Sequence, residues 1–147
     1  MASKAVEVSR FQIWKRRIII LLIAALVFLV AGWFFVIYTE ANQVLREAKN
    51  VRISMKLVAI EKYGEGTSIY DPTAYNGLAA GAAQEIAETS GESGKITLTA
   101  WNTEQNIPKS FTYRKGDFYA EYVANGDKFK SWKVYFNWKL LDFTGDS

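Results

Sequence analysis

The chain has 147 residues, half of them hydrophobic and 15% aromatic, a formal charge of +3, and neither cysteine nor histidine. The missing cysteines exclude a disulfide framework, thiolate metal ligation and a cysteine nucleophile, and the missing histidines exclude imidazole ligation and a histidine-based triad. The positive charge sits in the first 38 residues, because residues 39–147 hold 13 Lys plus Arg against 14 Asp plus Glu; with no basic stripe on that part, nucleic acid is not an expected partner.

Residues 1–17 carry Lys4, Arg10, Lys15, Arg16 and Arg17 against the single acid Glu7. A basic tail beside an apolar span stays in the cytoplasm, so Lys15, Arg16 and Arg17 are the expected orientation signal. The 21 residues from Ile18 to Tyr38 contain no charge. As a helix they measure roughly 31 Å, against a bilayer hydrocarbon core of about 30 Å. A single transmembrane helix over 18–38 is expected, with the rest of the chain outside the cell membrane. A cleaved signal peptide is the competing reading, with Val30-Ala31-Gly32 as its small-residue site. The apolar run continues to Ile37, well past the usual apolar region of about 7 to 15 residues.

From Glu40 to Lys62 there is no Gly or Pro, so 39–62 reads as an amphipathic continuation of the same helix. At 100° per residue it shows two apolar stripes. Val44, Ala48, Val51, Met55 and Val58 form one; Ile53, Leu57 and Ile60 form the other, nearly opposite. A helix apolar on two sides needs two neighbours. The second stripe is confined to the half away from the apolar span, where a compact domain fits, so Ile53, Leu57 and Ile60 are expected to pack on the chain's own sheet. The first stripe is then the candidate assembly face, although both stripes being covered by one domain is the plainer alternative.

Residues 63–147, together with 39–62, are expected to form one extracytoplasmic domain. Gly64, Gly66, Asp71-Pro72 and Asn76-Gly77 mark 63–76 as loop. Leu78, Ala82 and Ile86 recur at i, i+4 and i+8, predicting a short helix from Gly77 to Thr89 that ends before Gly91.

From Lys95 the apolar period becomes two, as in a strand: Ile96, Leu98 and Ala100 alternate with Thr97, Thr99 and Trp101. Further strands are expected near 110–114, 117–123 and 128–141, giving a four-stranded antiparallel meander and an α+β fold. Lys115-Gly116 and Asn125-Gly126 suit two-residue hairpin turns. Pairing across them puts Phe111, Tyr113, Phe118, Ala120, Tyr122 and Phe129 on one buried face, with Glu121 opposite Lys130 on the other. Trp132, Val134, Phe136, Trp138 and Leu140 alternate out of phase with Phe129, which calls for a bulge near Ser131.

Catalytic groupings are thin. Glu85 and Glu88 lie within one helical turn but read as a solvated face, and Asp71-Pro72 as a turn. There is no Gly-rich phosphate loop or calcium-loop spacing. No catalytic, metal or cofactor site is expected.

A basic leader, an apolar helix (Ile18 to Tyr38) running into an amphipathic one (Val44 to Val58), a loop and an antiparallel meander together resemble the type IV pilin and pseudopilin plan. The resemblance implies an apolar half-helix that holds the subunit in the bilayer and packs in an assembly's core. The family's processing site is a Gly followed by Phe, with a Glu five places into the mature helix. Here Ser9-Arg10-Phe11 precedes the run, no Gly occurs before Gly32, and no acid interrupts 18–38. The resemblance therefore implies an accessory or assembly component that stays in the membrane, with the lipid bilayer and other membrane or pilus-like subunits, self included, as partners. The alternative expectation is an anchored binding or regulatory module whose sheet takes a peptide or envelope component, with Trp132, Val134, Phe136 and Trp138 as the binding strand.

Overall fold

A computed structural model describes residues 2–125 and 129–145. The elements run α1 (Ala2–Gly64), α2 (Ala82–Ser90), then β1 (Lys95–Asn102), β2 (Ile107–Lys115), β3 (Phe118–Asn125), β4 (Phe129–Tyr135) and β5 (Lys139–Gly145). The chain divides into two units, Met1–Tyr38 and Thr39–Ser147.

The first unit is the opening part of α1. Its large apolar side chains from Ile18 to Val36 stand exposed, and Lys15, Arg16 and Arg17 are exposed just before them. Among the described residues one helix is long and apolar enough to cross a membrane, the stretch of α1 from Arg10 to Gly64.

The second unit is a five-stranded sheet in the order β1-β2-β3-β4-β5, each neighbour antiparallel, with the outer part of α1 on one face. The fold is α+β with a long first helix, a short second helix and a meander. The meander has one strand more than the four expected: the run 128–141 folds back at 136–138, where the Phe136 amide donates to the Trp138 carbonyl at 3.0 Å.

Helix α1 ends where Gly64 and Gly66 remove helix propensity, and Gly66 takes a left-handed φ of 76°. The following loop is held by Asp71, whose side chain accepts from the Thr73 amide at 2.8 Å and the Thr73 hydroxyl at 2.6 Å. It then lies along β1: the Leu98 amide donates to the Asn76 carbonyl at 2.7 Å, so the loop covers part of an edge that would otherwise invite pairing. Gly77, at φ 69°, sits so close that an added Cβ would lie 1.9 Å from the Leu98 carbonyl oxygen.

That close approach shortens α2 relative to expectation. The helix starts at Ala82 rather than Gly77, because Gly77 and Gly81 are both left-handed and Leu78 bridges Tyr70. Leu78, Ala82 and Ile86 are all buried nonetheless.

Register decides which side chains enter the core. Lys115 pairs with Phe118, so the first hairpin turns on Gly116-Asp117, one place later than expected. Pairing shifts by an even number and the faces are kept: Phe111 faces Tyr122 and Tyr113 faces Ala120. At the second hairpin Asn125 pairs with Phe129, which leaves three connecting residues instead of two. Of the expected turn Asn125-Gly126, Asn125 belongs to β3 and Gly126 lies outside the described residues. The extra residue flips the following strand. Tyr122 therefore faces Trp132 and Ala120 faces Val134, while Glu121 faces Lys133 rather than Lys130. No bulge interrupts this pairing near Ser131. Phe129, expected in the core, is 60% exposed.

The core lies between α1 and this sheet face. Ala41, Val44, Leu45, Ala48, Val51, Met55, Val58 and Ala59 meet Ile96, Leu98, Phe111, Tyr113, Phe118, Ala120, Tyr122, Trp132, Val134 and Leu141, all buried. Phe111 meets the Trp132 ring edge-on, centroids 6.0 Å apart, a favoured aromatic arrangement.

Candidate functional site

The outer part of α1 carries the features that bear on function. Its inner face is fixed to the sheet by one buried acid. Glu47 sits among the apolar residues of the inner stripe, one turn from both Val44 and Val51, and is 6% exposed. Its carboxylate accepts from the Tyr113 hydroxyl at 2.8 Å, from Lys115 Nζ at 2.5 Å and from Gln43 Nε2 at 3.0 Å. The Tyr113 oxygen in turn accepts from the Gly94 amide at 3.0 Å. A buried charge is tolerated when its lone pairs are filled in this way.

Burial pushes the Glu47 carboxyl up, but the hydrogen bonds from Lys115, Tyr113 and Gln43 and the Lys115 charge outweigh it and hold the group below its ordinary value. Burial first, and then the neighbouring carboxylate, push the Tyr113 phenol well above its ordinary range. Glu47 is thus an anion and Tyr113 a neutral donor at any physiological pH. Two further contacts, the Asn106 side chain to the Ala59 carbonyl at 3.0 Å and Asn50 to Glu92 at 3.1 Å, tie the helix to the β1–β2 loop and to the segment after α2.

This seating reverses the expected roles of the two stripes. Val44, Ala48, Val51, Met55 and Val58, the expected assembly face, are at most 4% exposed and form the helix side of the core. Ile53, Leu57 and Ile60, expected to pack on the sheet, are 57%, 54% and 67% exposed. The physical reason is how far each stripe reaches along the sheet. The small and slender side chains Ala41, Val44, Ala48, Val51 and Ala59 let the helix approach a sheet face already crowded with Phe111, Tyr113, Tyr122 and Trp132. The helix face carrying them holds apolar side chains over the full length from Ala41 to Ala59, whereas Ile53, Leu57 and Ile60 span only about two turns and would leave part of the sheet uncovered.

The expected binding strand is likewise displaced. Trp132 and Val134 are 1% and 0% exposed and fill the core, so they present no surface. Phe136 and Trp138 lie in the turn before β5, their rings edge-to-face with centroids 5.5 Å apart. Phe136 also packs against Phe118 at 4.9 Å. The sheet face away from α1 is polar, with the row Glu121, Lys133 and Asp142 alternating in charge across β3, β4 and β5 and Tyr119 stacked on Tyr135 at 4.7 Å.

Glu47 escapes a reading by residue type, since it looks like one more polar helix position. The available signal is its place inside the inner stripe, a carboxylate where the period demands an apolar side chain. Glu85 pairs with Lys62 at 2.9 Å, as part of the join between α1 and α2. Among the described residues no three acidic side chains come together in a way that could hold a metal ion. No family model, curated protein or solved structure matches this chain.

Proposed function

We propose that this chain is a non-enzymatic, single-pass membrane protein whose extracytoplasmic domain acts as a pilin-like or pseudopilin-like assembly component. In this reading 18–38 crosses the bilayer, Lys15, Arg16 and Arg17 hold the N-terminus in the cytoplasm, and the outward face of α1 docks on a helix of another membrane subunit. A second copy of the chain is the simplest such partner.

The observation that carries the proposal is the exposed stripe Ile53, Leu57 and Ile60, at i, i+4 and i+7 on one side of α1. Single exposed apolar residues are ordinary, but three in helical register on the side of α1 away from the core form a surface suited to helix–helix packing. Confinement to one membrane favours such contacts, because partners are already concentrated and partly oriented. The native mass of protein extracted in mild detergent tests this. The wild-type chain is expected in a complex larger than the monomer, and Leu57→Asp is expected at monomer mass with unfolding temperature unchanged. A monomeric wild type, or a Leu57→Asp complex of unaltered mass, overturns the reading.

A binding or regulatory module is the second reading. It draws on β5, whose outer edge has no strand beside it among the described residues, where an extended peptide can add a strand. Proline at Thr144 or Leu140 is expected to abolish peptide capture without altering multimer mass; capture that survives both counts against this mode.

A further inference from the structure

Beside α1, on the flank between its buried and exposed faces, a cleft of about 690 Å³ opens between the helix, the β1–β2 loop and the adjoining ends of β3 and β4. Four cations line it: Arg52 and Lys56 from the helix, Lys109 from β2 and Lys130 from β4. Glu104 is the one acidic side chain in the lining, and Trp101 supplies an aromatic wall. The clustering is local, since residues 39–147 as a whole carry one more acid than base.

Three of these cations have no acid of the chain beside them among the described residues. Arg52, Lys56 and Lys109 form no ion pair among the described residues. The Arg52 guanidinium lies over the Tyr122 ring at 4.7 Å, and its buried Nε–H has no hydrogen-bond partner. We infer that this cleft is a binding site for a small molecule carrying two or more phosphate or carboxylate groups, held by Arg52, Lys56, Lys109 and Lys130.

Three features select that class. Arg52, Lys56 and Lys109 alone leave a charge of about +2 once Glu104 is counted, which matches a multiply charged anion better than a single carboxylate. The Arg52 fork presents directed donors to an oxyanion, while the lysines act as point charges that tolerate several ligand geometries. The volume lies within the range of small-molecule sites, roughly 300 to 1,000 Å³. In support, burial, and then the charges of Arg52 and Lys130, hold the Lys56 ammonium below its ordinary value. A bound anion relieves the second of these causes. The inference stands apart from the assembly reading, because Ile53, Leu57 and Ile60 take no part in it.

The test is calorimetric titration of the full chain, in nanodiscs of zwitterionic lipid at low salt, with tripolyphosphate and separately with citrate. Saturable binding tighter than about 1 mM is expected for at least one of them, and the preferred probe distinguishes phosphate from carboxylate. Lys56→Gln and Lys130→Gln are each expected to weaken binding about tenfold. Lys109→Gln, at an exposed position where folding is not at stake, is expected to weaken it severalfold. Lys133→Gln, on the opposite sheet face, should change it less than about twofold. Absence of saturation by both probes overturns the inference, as does an equal loss in Lys133→Gln, which would mark general charge attraction.

Discussion

Replacing Glu47 with alanine should damage the folded domain far more than its polar character suggests. Three donors converge on its carboxylate. The Tyr113 bond is buried and charge-assisted, worth about 1.5 to 3 kcal/mol once the hydroxyl is left without its acceptor. Lys115 is 39% exposed and regains water when the acid is removed, so its ion pair adds under about 1 kcal/mol. The sum is about 3 kcal/mol, which for a domain of this size lowers the unfolding temperature by roughly 10 to 15 °C.

The assay is thermal unfolding of the full chain in detergent, followed by near-ultraviolet circular dichroism from the buried tyrosines and tryptophan. Lys115→Met leaves the Glu47 carboxylate, only 8% exposed, without its counter-ion and should cost about 1 to 3 kcal/mol in the same assay. Acid supplies a second, sharper readout. The folded domain holds the Glu47 carboxyl below its ordinary value of 4.5, so its ionisation stabilises the fold fully above that pH and the benefit disappears as pH falls through the depressed value. The stability gap between wild type and Glu47→Gln should therefore be constant near neutrality and narrow in acid. A gap that is flat down to the acid limit, or Glu47→Ala unfolding within about 3 °C of wild type, would refute the assignment of Glu47 as the helix-to-sheet lock.

Met55→Ala, at a fully buried site, should cost about 2 to 5 kcal/mol, whereas Leu57→Ala two residues on should stay within about 0.5 kcal/mol; urea unfolding of both variants reads the difference. Trp132→Ala should destabilise by about 3 to 5 kcal/mol and Phe129→Ala by well under 1, the order opposite to that of a two-residue turn after β3. Gly94→Ala places a Cβ 2.2 Å from the Tyr113 ring, so the ring or the backbone must shift and the Gly94 amide bond to the Tyr113 hydroxyl with it. Its loss should appear as faster hydrogen exchange at the Gly94 amide and a lower unfolding temperature.

Much of the fold is legible in the residues alone. The unbroken apolar run, the absence of Gly and Pro from 40 to 62 and the change of period at Lys95 each follow from local rules that tertiary context did not disturb. The departures arise where two local signals compete. Asn125-Gly126 favours a two-residue turn, but burying Trp132 and Val134 beside Tyr122 and Ala120 outweighs turn preference, and one added residue satisfies the sheet without a bulge. The alternation from Trp132 to Leu140 suggested one long strand, yet the chain reverses at Phe136 and brings Leu141 into the core beside Val134.

The two stripes of α1 could not be ranked by hydrophobicity, since Ile53, Leu57 and Ile60 are the more apolar set. The length of the sheet face to be covered decided between them, and that depends on strands the helix sequence does not contain. The cationic cleft gathers residues from 52 to 130 and has no sequence signature beyond Arg52 and Lys56 sharing a helix flank.

The proposed division of α1 into an inner face that builds the domain and an exposed face that would meet a partner is tested most directly by cysteine crosslinking in native membranes. The chain has no cysteine of its own, so single substitutions at Ile53, Leu57 and Ile60 can be compared with Val51, Met55 and Val58 without background. Oxidation should trap a discrete dimer or larger adduct from the first set and none from the second. Adducts from Met55→Cys in folded protein, or unmodified monomer from all three outer positions, would contradict the account.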